Sequence, residues 1–130
     1  YKRSTPFILQ NNFVEQIIVP EENINKIALK VGTYNRENYS LIKIKIEENG
    51  ETIHEETRSA STLKDNGYLY ITEKLKKGNK YKIYISSENT NSNDFIALYK
   101  NKDEENIDNN YLKINGIECQ EDLAMEMYYE

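Results

Sequence analysis

The chain has 130 residues with a formal net charge of −5, and it contains one cysteine and one histidine. A single cysteine excludes an internal disulfide, and one cysteine with one histidine is too few for a usual zinc site. Lysines are interleaved with glutamates and form no basic stripe, so we expect no nucleic-acid partner. No apolar run is long enough to cross a bilayer, so we expect no direct membrane insertion of this segment.

The length is suited to one domain, and we predict a single β-sandwich domain over residues 1–130. The sequence begins at Tyr1 and not at a methionine. We therefore expect a domain excised from a longer, membrane-anchored polypeptide.

The first apolar segment covers residues 7–19 and is ended by Pro20, which cannot donate a hydrogen bond to a strand ladder. This segment predicts one long strand, or two short strands with a bulge at Asn11-Asn12.

Two runs with strict alternation of apolar and polar residues come next. Their apolar positions are Ile27, Leu29 and Val31, then Ile42, Ile44 and Ile46. A period of two predicts half-buried strands. A polar loop at residues 33–38 connects these two runs.

Asn49-Gly50 is the strongest hairpin signal in the chain, because both residues tolerate the positive φ of a type I′ turn. The return strand, residues 51–60, is polar and is predicted to lie at a sheet edge. Residues 59–67 are predicted to form a connection with its own turn.

Residues 68–72 alternate tyrosine with aliphatic side chains, which predicts a central strand covered on both faces. After a turn at residues 76–79, the strand at residues 81–86 is predicted to pair with it. A polar loop at residues 88–94 and a short buried strand at residues 95–99 follow.

Residues 101–110 are acidic and asparagine-rich, with only Ile107 to bury, and they predict a mobile loop. The oxygen ligands at residues 103–110 could hold calcium, although the spacing of an EF-hand is lacking and a solvated charge run is the alternative. A small hairpin around Asn115-Gly116 and a final strand complete an all-β chain of about eight to ten strands, arranged as an antiparallel sandwich or barrel.

The sequence shows no nucleophile with a base, no carboxylate pair and no metal cluster, so we predict neither an enzyme nor a bound cofactor. His54 lies among glutamates and is interpreted as an exposed strand histidine, with a titrating base as the alternative. Cys119 lacks neighbouring basic residues that would lower its pKa, and it is interpreted as a small packed side chain.

Eleven tyrosines against three phenylalanines and no tryptophan make an unusual aromatic balance. Tyrosine combines an apolar ring with a hydroxyl group, which suits a sugar face, a wet interface or a sheet surface. Tyr68 and Tyr70, together with Tyr84 beside Lys82, are candidates for a stacking platform on one sheet face. Ordinary sheet covering is the alternative.

The loop at residues 33–38 combines a ring, a guanidinium group and several amide or carboxylate groups. Loops held by rigid strands often carry recognition residues, so Tyr34, Arg36 and Asn38 are candidate ligand contacts. The alternative is that Arg36 fastens the loop through hydrogen bonds to carbonyl groups or to Asp65.

Four segments carry a resemblance to a known family, and they cover about residues 7–99 in order. They are Gln10-Asn11-Asn12-Phe13, Thr33-Tyr34-Asn35-Arg36-Glu37-Asn38, Ser61-Thr62-Leu63-Lys64-Asp65-Asn66 and Leu75-Lys76-Lys77-Gly78-Asn79-Lys80-Tyr81-Lys82-Ile83. The chain resembles the β-sandwich, carbohydrate-binding-module-like accessory domains of bacterial cell-envelope glycan proteins, which include glycosyltransferases and polytopic membrane proteins. The resemblance implies a jelly-roll sandwich, an extracytoplasmic or membrane-associated setting, and an accessory role without chemistry of its own.

We therefore expect a non-catalytic module that contacts a cell-wall or surface glycan. The predicted contacts are Tyr34, Arg36, Asn38, Asp65, Tyr68, Tyr70 and Tyr84. The alternative is a structural spacer or protein–protein interaction domain that supports the rest of its parent membrane protein.

Overall fold

The computed structural model describes residues 4–102 and 109–129. The described residues form twelve β-strands and one short 3-10 turn, Ala60–Thr62. The strands are β1 Ser4–Leu9, β2 Phe13–Ile18, β3 Ile24–Gly32, β4 Leu41–Glu48, β5 Glu51–Ser59, β6 Tyr68–Leu75, β7 Tyr81–Glu88, β8 Ile96–Lys102, β9 Tyr111–Ile114, β10 Ile117–Cys119, β11 Glu121–Leu123 and β12 Met125–Tyr129.

These strands form two antiparallel sheets that pack face to face. The first sheet has β1, β8, β3 and β6 in that order. Strands β8 and β3 pair only through Val31 with Leu98 and Gly32 with Ala97. Where they diverge, β11 pairs with β8 and β12 pairs with β3. The second sheet has the order β10-β9-β2-β7-β4-β5.

The first eight strands have the jelly-roll topology. The chain crosses from one sheet to the other at each connection except β4–β5, which is a hairpin. The order β1-β8-β3-β6 therefore faces β2-β7-β4-β5, as in a sandwich of two Greek keys. The predicted jelly-roll sandwich is confirmed, with twelve strands in place of the expected eight to ten.

The core lies between the sheets and is almost entirely aliphatic. The alternating residues of β3 and β4 point inward as predicted, and Ile42, Ile44 and Ile46 are at most 1% exposed. Other large, fully buried side chains include Leu9, Ile18, Ile24, Ile27, Leu29, Leu69, Ile71, Leu75 and Tyr81. Burying this apolar surface is the main stabilising contribution, and it keeps the strands in register because a one-residue slip would expose it.

The predicted Asn49-Gly50 hairpin is confirmed. Both residues have positive φ, 53° and 78°, and β4 pairs with β5 along its whole length. Strand β5 lies at the edge of the second sheet, as its polar sequence indicated. The hairpin at Asn115-Gly116, with φ of 51° and 84°, is confirmed in the same way.

The predicted pairing of β6 with β7 is wrong. Strand β6 pairs with β3, whereas β7 pairs with β2 and β4 in the other sheet. The turn between them connects one sheet to the other. Two hydrogen bonds hold it there: Gly78 donates to the carbonyl of Pro20, and the buried hydroxyl of Tyr81 accepts from the amide of Lys76. Strand β6 is also an edge strand and not a central one.

Residues 7–19 form two strands in different sheets, joined by a turn in which Asn11 has a φ of 56°. The predicted loop at residues 101–110 begins two residues too early, since Asn101 and Lys102 belong to β8. Residues 103–108 lie outside the described residues, and they include most of the oxygen ligands of the calcium hypothesis.

Candidate functional site: a tyrosine-lined sheet face

The outer face of the first sheet carries four tyrosines, which we call the tyrosine face: Tyr68, Tyr70, Tyr99 and Tyr128. Tyr68 and Tyr70 project from β6, while Leu69 and Ile71 between them are buried. Tyr128 projects from β12 opposite Lys26 of β3. The period of two in each strand therefore places rings from separate parts of the sequence on one surface.

Lys26 and Lys30 of β3 lie among these rings. The Lys26 ammonium is 5.0 Å from the centre of the Tyr70 ring and 4.3 Å from that of Tyr128. The Lys30 ammonium is 5.4 Å from the centre of the Tyr99 ring. In each of these cation–π contacts the positive charge is attracted to the electron-rich face of the ring.

The tyrosine rings are close enough to act together. The centres of the Tyr68 and Tyr70 rings are 6.1 Å apart, and the side chains are 36% and 43% exposed. Lys26 to Gly32 along β3 spans about 20 Å at the usual rise per residue of a strand. The surface is therefore long enough for an extended ligand.

Small residues of the first sheet form the floor beneath the rings. Gly32 lies directly under Tyr99, and a Cβ atom there would be 3.2 Å from Cε2 of that ring. Ala28, between Lys26 and Lys30, is completely buried by its neighbours. The rings consequently stand above a smooth backbone surface.

The environment of Tyr128 favours the neutral form of its hydroxyl. Partial desolvation raises the pKa of Tyr128, and the Glu126 carboxylate and the Tyr70 ring raise it further. The ordinary pKa of tyrosine is already near 10. The Tyr128 hydroxyl can therefore both donate and accept hydrogen bonds.

Tyr34 lies at the end of the face that Tyr99 occupies. Its side chain is 45% exposed, and its ring packs edge-on against Phe95 with centres 5.4 Å apart. Desolvation raises the pKa of Tyr34, and the neighbouring Tyr99 adds to this effect. Tyr34 has a positive φ of 61°, which is uncommon for a residue of this size.

Hydrogen bonds of the Arg36 and Asn38 side chains hold the 33–38 loop in place. Arg36 donates from Nε to Asn38 Oδ1 at 2.8 Å and from Nη2 to the Phe95 carbonyl at 3.1 Å. Asn38 is 1% exposed and donates to the Thr33 carbonyl. Arg36 therefore anchors the loop through carbonyl groups, as the alternative interpretation held, and Asn38 is buried and cannot contact a ligand in this conformation.

Asp65 stabilises the strained backbone of this loop and does not pair with Arg36. Its Oδ1 accepts from the amides of Thr33 at 2.7 Å and Tyr34 at 3.2 Å. Asp94 does the same for the following residues, because it accepts from the amides of Tyr39 and Ser40. Asp65 thus fixes the backbone that presents Tyr34, and Asp94 fixes the backbone just after the loop.

Tyr84 is not part of the tyrosine face, which corrects the predicted single platform. It projects from β7 on the outer face of the second sheet and stacks on Phe13, with ring centres 5.3 Å apart. The prediction was wrong because β6 and β7 were assumed to be neighbours in one sheet.

The outer face of the second sheet, which we call the charged face, is covered by alternating lysines and glutamates. Lys82 contacts Glu15 at 3.2 Å and Glu47 at 4.0 Å, and Lys43 contacts Glu88 at 2.9 Å. Lys45, between them on the same face, lies near a ring instead, with its ammonium 5.4 Å from the centre of the Tyr84 ring.

His54 is not the exposed strand histidine that the sequence suggested. Its side chain is 15% exposed, and its ring nitrogens contact Glu73 at 3.1 Å and Glu56 at 2.5 Å, while Glu56 also accepts from Arg58. Burial raises the pKa of Glu56, but hydrogen bonds from Arg58 and His54 outweigh it, so the pKa is lowered overall. This group joins the edge strands β5 and β6 of the two sheets.

Cys119 behaves as a packed side chain. Its thiol donates to the Leu112 carbonyl at 3.4 Å, and desolvation raises the pKa of the thiol. The thiolate, which is the nucleophilic form, is thereby disfavoured.

Within residues 4–102 and 109–129, histidine, cysteine and acidic side chains form no group of three or more that could hold a metal ion. The same residues contain no helix of the length and apolarity needed to span a membrane.

Sequence reasoning identified Tyr34, Tyr68 and Tyr70 but missed Tyr99, Tyr128, Lys26 and Lys30. The two lysines were visible as the polar positions of an alternating strand. The proximity of Lys26 to Tyr128 depends on the pairing of β12 with β3, which are far apart in the sequence, and no local pattern predicts that pairing. The chain matches no protein-family model and shows no significant similarity to curated protein sequences.

Proposed function

We propose that this chain is a non-catalytic accessory module of a bacterial cell-envelope protein, and that it binds carbohydrate through the tyrosine face. The observation that carries the proposal is the row of exposed rings: Tyr68, Tyr70 and Tyr128 are 36–43% exposed on one surface. Sugar rings present apolar C–H faces, which stack on aromatic rings, and hydroxyl groups, which pair with the tyrosine hydroxyls.

Lys26 and Lys30 add donors between the rings. A lysine ammonium group has three donors and no acceptor, so it suits the many acceptor oxygens of a glycan. Tyr34 extends the surface beyond Tyr99, on a loop whose backbone is already ordered by Asp65. A preformed surface loses less conformational entropy on binding.

The non-catalytic part of the proposal is supported by the pairing of the chain's single histidine. His54 contacts two carboxylates that lie between the edges of β5 and β6, away from the tyrosine face. Its hydrogen-bonding capacity is used to join two strands. The sequence resemblance to envelope accessory domains supports an extracytoplasmic location as part of the proposal.

The test is binding of soluble envelope oligosaccharides to three proteins: wild type, Tyr68→Ala/Tyr70→Ala, and Tyr84→Ala. The proposal predicts that the double variant loses at least about tenfold in affinity, since each stacked ring contributes on the order of 1 kcal/mol. Tyr84→Ala is the matched control, because it removes a ring from the opposite sheet. Equal loss in both variants, or no binding by wild type across a glycan array, would contradict the proposal.

A protein-interaction role is the second candidate, and one observation favours it. Ile8 is 44% exposed on the outer face of the same sheet, and Ile117 is 74% exposed on β10. Tyrosines are also enriched at protein interfaces. Capture of the remainder of the parent polypeptide, abolished by Ile8→Lys but not by glycan, would favour this role over carbohydrate binding.

A further inference from the structure

A depression lies on the charged face, on the opposite side of the sandwich from the tyrosine face. It has a volume of about 270 Å³ and is bordered by Glu47, Lys80, Lys82, Tyr111 and Lys113, with the Asn49-Gly50 turn at one end. Ile17, which is 3% exposed, forms its floor.

The strand register determines how this depression is built. Ile17 of β2 pairs with Tyr111 of β9 on one side and with Lys82 of β7 on the other. An aliphatic floor therefore lies between an aromatic ring and an ammonium group, all on strands within one sheet. Side chains on strands are held more rigidly than those on loops.

The three lysines that border the depression differ in whether a carboxylate lies near their ammonium groups. Lys82 is held by Glu15 at 3.2 Å and by Glu47 at 4.0 Å. In the described part of the chain, no carboxylate lies within 4.0 Å of the ammonium groups of Lys80 or Lys113.

Glu15 and Glu118 lie directly across from Lys113 on the neighbouring strands, but neither carboxylate comes within 4.0 Å of its ammonium group. The Lys80 ammonium is 5.9 Å from the centre of the Tyr111 ring. The positive charge without a carboxylate partner thus lies beside an aromatic ring and above an apolar floor.

We propose that this depression binds a small anionic ligand, in which a carboxylate or phosphate group is attached to a compact ring. The anion is held by Lys80 and Lys113, and the ring lies against Tyr111 and Ile17. Lysine binds carboxylates and phosphates as a compact point charge. This site is independent of the tyrosine face, so either one can exist without the other.

The test is a titration of the uniformly ¹⁵N-labelled protein with glucuronate, inorganic phosphate and glucose, followed by amide chemical shifts. We expect saturable shifts at residues 49–50, 80–82 and 111–113 with glucuronate, weaker shifts with phosphate, and none at these residues with glucose. Added salt should weaken binding, since it screens exposed charges.

Lys80→Gln/Lys113→Gln is expected to weaken glucuronate binding at least about tenfold, because both charge-assisted contacts are lost. Lys43→Gln is the matched control, since Lys43 lies on the same face outside the depression and is paired with Glu88. No saturable shift at these residues, equal binding of glucose and glucuronate, or wild-type affinity in the double variant would overturn the proposal. If phosphate bound as strongly as glucuronate, the ligand ring would add nothing to binding, and the proposed contact of that ring with Tyr111 and Ile17 would be wrong.

Discussion

The tyrosine face and the charged face are the two outer surfaces of one sandwich, and they differ in how their side chains are satisfied. On the charged face, Lys82 and Lys43 contact carboxylates of neighbouring strands. On the tyrosine face, Lys26 and Lys30 contact rings, and in the described structure no salt bridge joins either lysine to a carboxylate. Ion pairs therefore occupy Lys43 and Lys82 on the charged face, whereas the rings of the tyrosine face remain exposed to another molecule.

This difference shows that exposure alone does not mark a binding surface. On both faces, the outward residues of each strand alternate with residues that point into the same aliphatic core. Both faces contain lysines at these outward positions. What separates them is the partner across the strand: Lys82 faces Glu47 and Ile17, whereas Lys26 faces Thr72 and Tyr128. Cross-strand pairing therefore decides which face remains available.

The largest expected effect is on the core that both faces share. Ile44→Ala should lower the free energy of unfolding by about 2–5 kcal/mol, because it leaves a cavity between the sheets. Ile44 is 1% exposed in the middle of β4. Urea denaturation measures the loss, and Lys45→Ala, one residue further and on the outer face, is the control. A loss below about 1 kcal/mol for Ile44→Ala would mean that the two faces do not depend on this core.

The next effect concerns the connection between the two sheets. Gln16 is buried in β2, donates to Asp122 at 2.8 Å and accepts from the amide of Leu123 at 2.9 Å. Gln16→Ala leaves buried groups without partners and should cost about 1–3 kcal/mol.

Amide hydrogen exchange should become faster in β11 and β12, which carry the Tyr128 end of the tyrosine face. Gln10→Ala is the control, because among the described residues Gln10 takes part in a side-chain hydrogen bond only through its backbone amide, which donates to Asn12 Oδ1 and is kept in the variant. Unchanged exchange in β11 and β12 would show that Gln16 does not hold the first sheet to the second.

A smaller effect depends on pH and concerns the edge where the two sheets meet. The pKa of Glu56 is lowered from 4.5 in the folded state. Its stabilising contribution is therefore present above that ordinary value and is lost as the pH falls through the lower folded value. Glu56→Gln should be less stable than wild type at neutral pH, and the difference should shrink towards zero in acid. A difference that is constant with pH would show that the charge of Glu56 does not stabilise this edge.

The smallest expected effect is on the stability contributed by the ion pairs of the charged face, and it depends on salt concentration. Lys82→Gln should cost about 0–1 kcal/mol at low ionic strength, since Lys82 is partly exposed, and less at high salt. Lys64→Gln is the control, because Lys64 is exposed and no ion pair joins it in the described residues. A cost for Lys82→Gln that salt does not reduce would contradict the pairing seen on this face.

Local patterns predicted the strands and their inward faces well. The alternation in β3 and β4, the Asn49-Gly50 turn and the polar edge strand β5 were all readable, because each depends on neighbouring residues. The pairing of strands was not readable in the same way. The turn at residues 76–79 signals a change of direction, but whether β7 returns to the same sheet or crosses to the other depends on distant contacts such as that of Gly78 with Pro20.

The candidate site was predictable to the extent that it lies on single strands. Tyr68 and Tyr70 share β6 and were found, whereas Tyr84 was grouped with them through the wrong pairing. His54 was misjudged for a related reason: its neighbours in sequence are polar, but its side chain points inward to Glu73 on another strand. Charges that pair across the sandwich cannot be recognised from the residues beside them.

The most direct test of the account is to map where a soluble envelope oligosaccharide changes the amide shifts of the ¹⁵N-labelled wild-type protein. The account predicts changes in β3, β6 and β12 around Lys26, Tyr70 and Tyr128, which weaken in Tyr68→Ala/Tyr70→Ala. Changes confined to β2, β7 and β4 on the charged face, or no changes on either face, would contradict it.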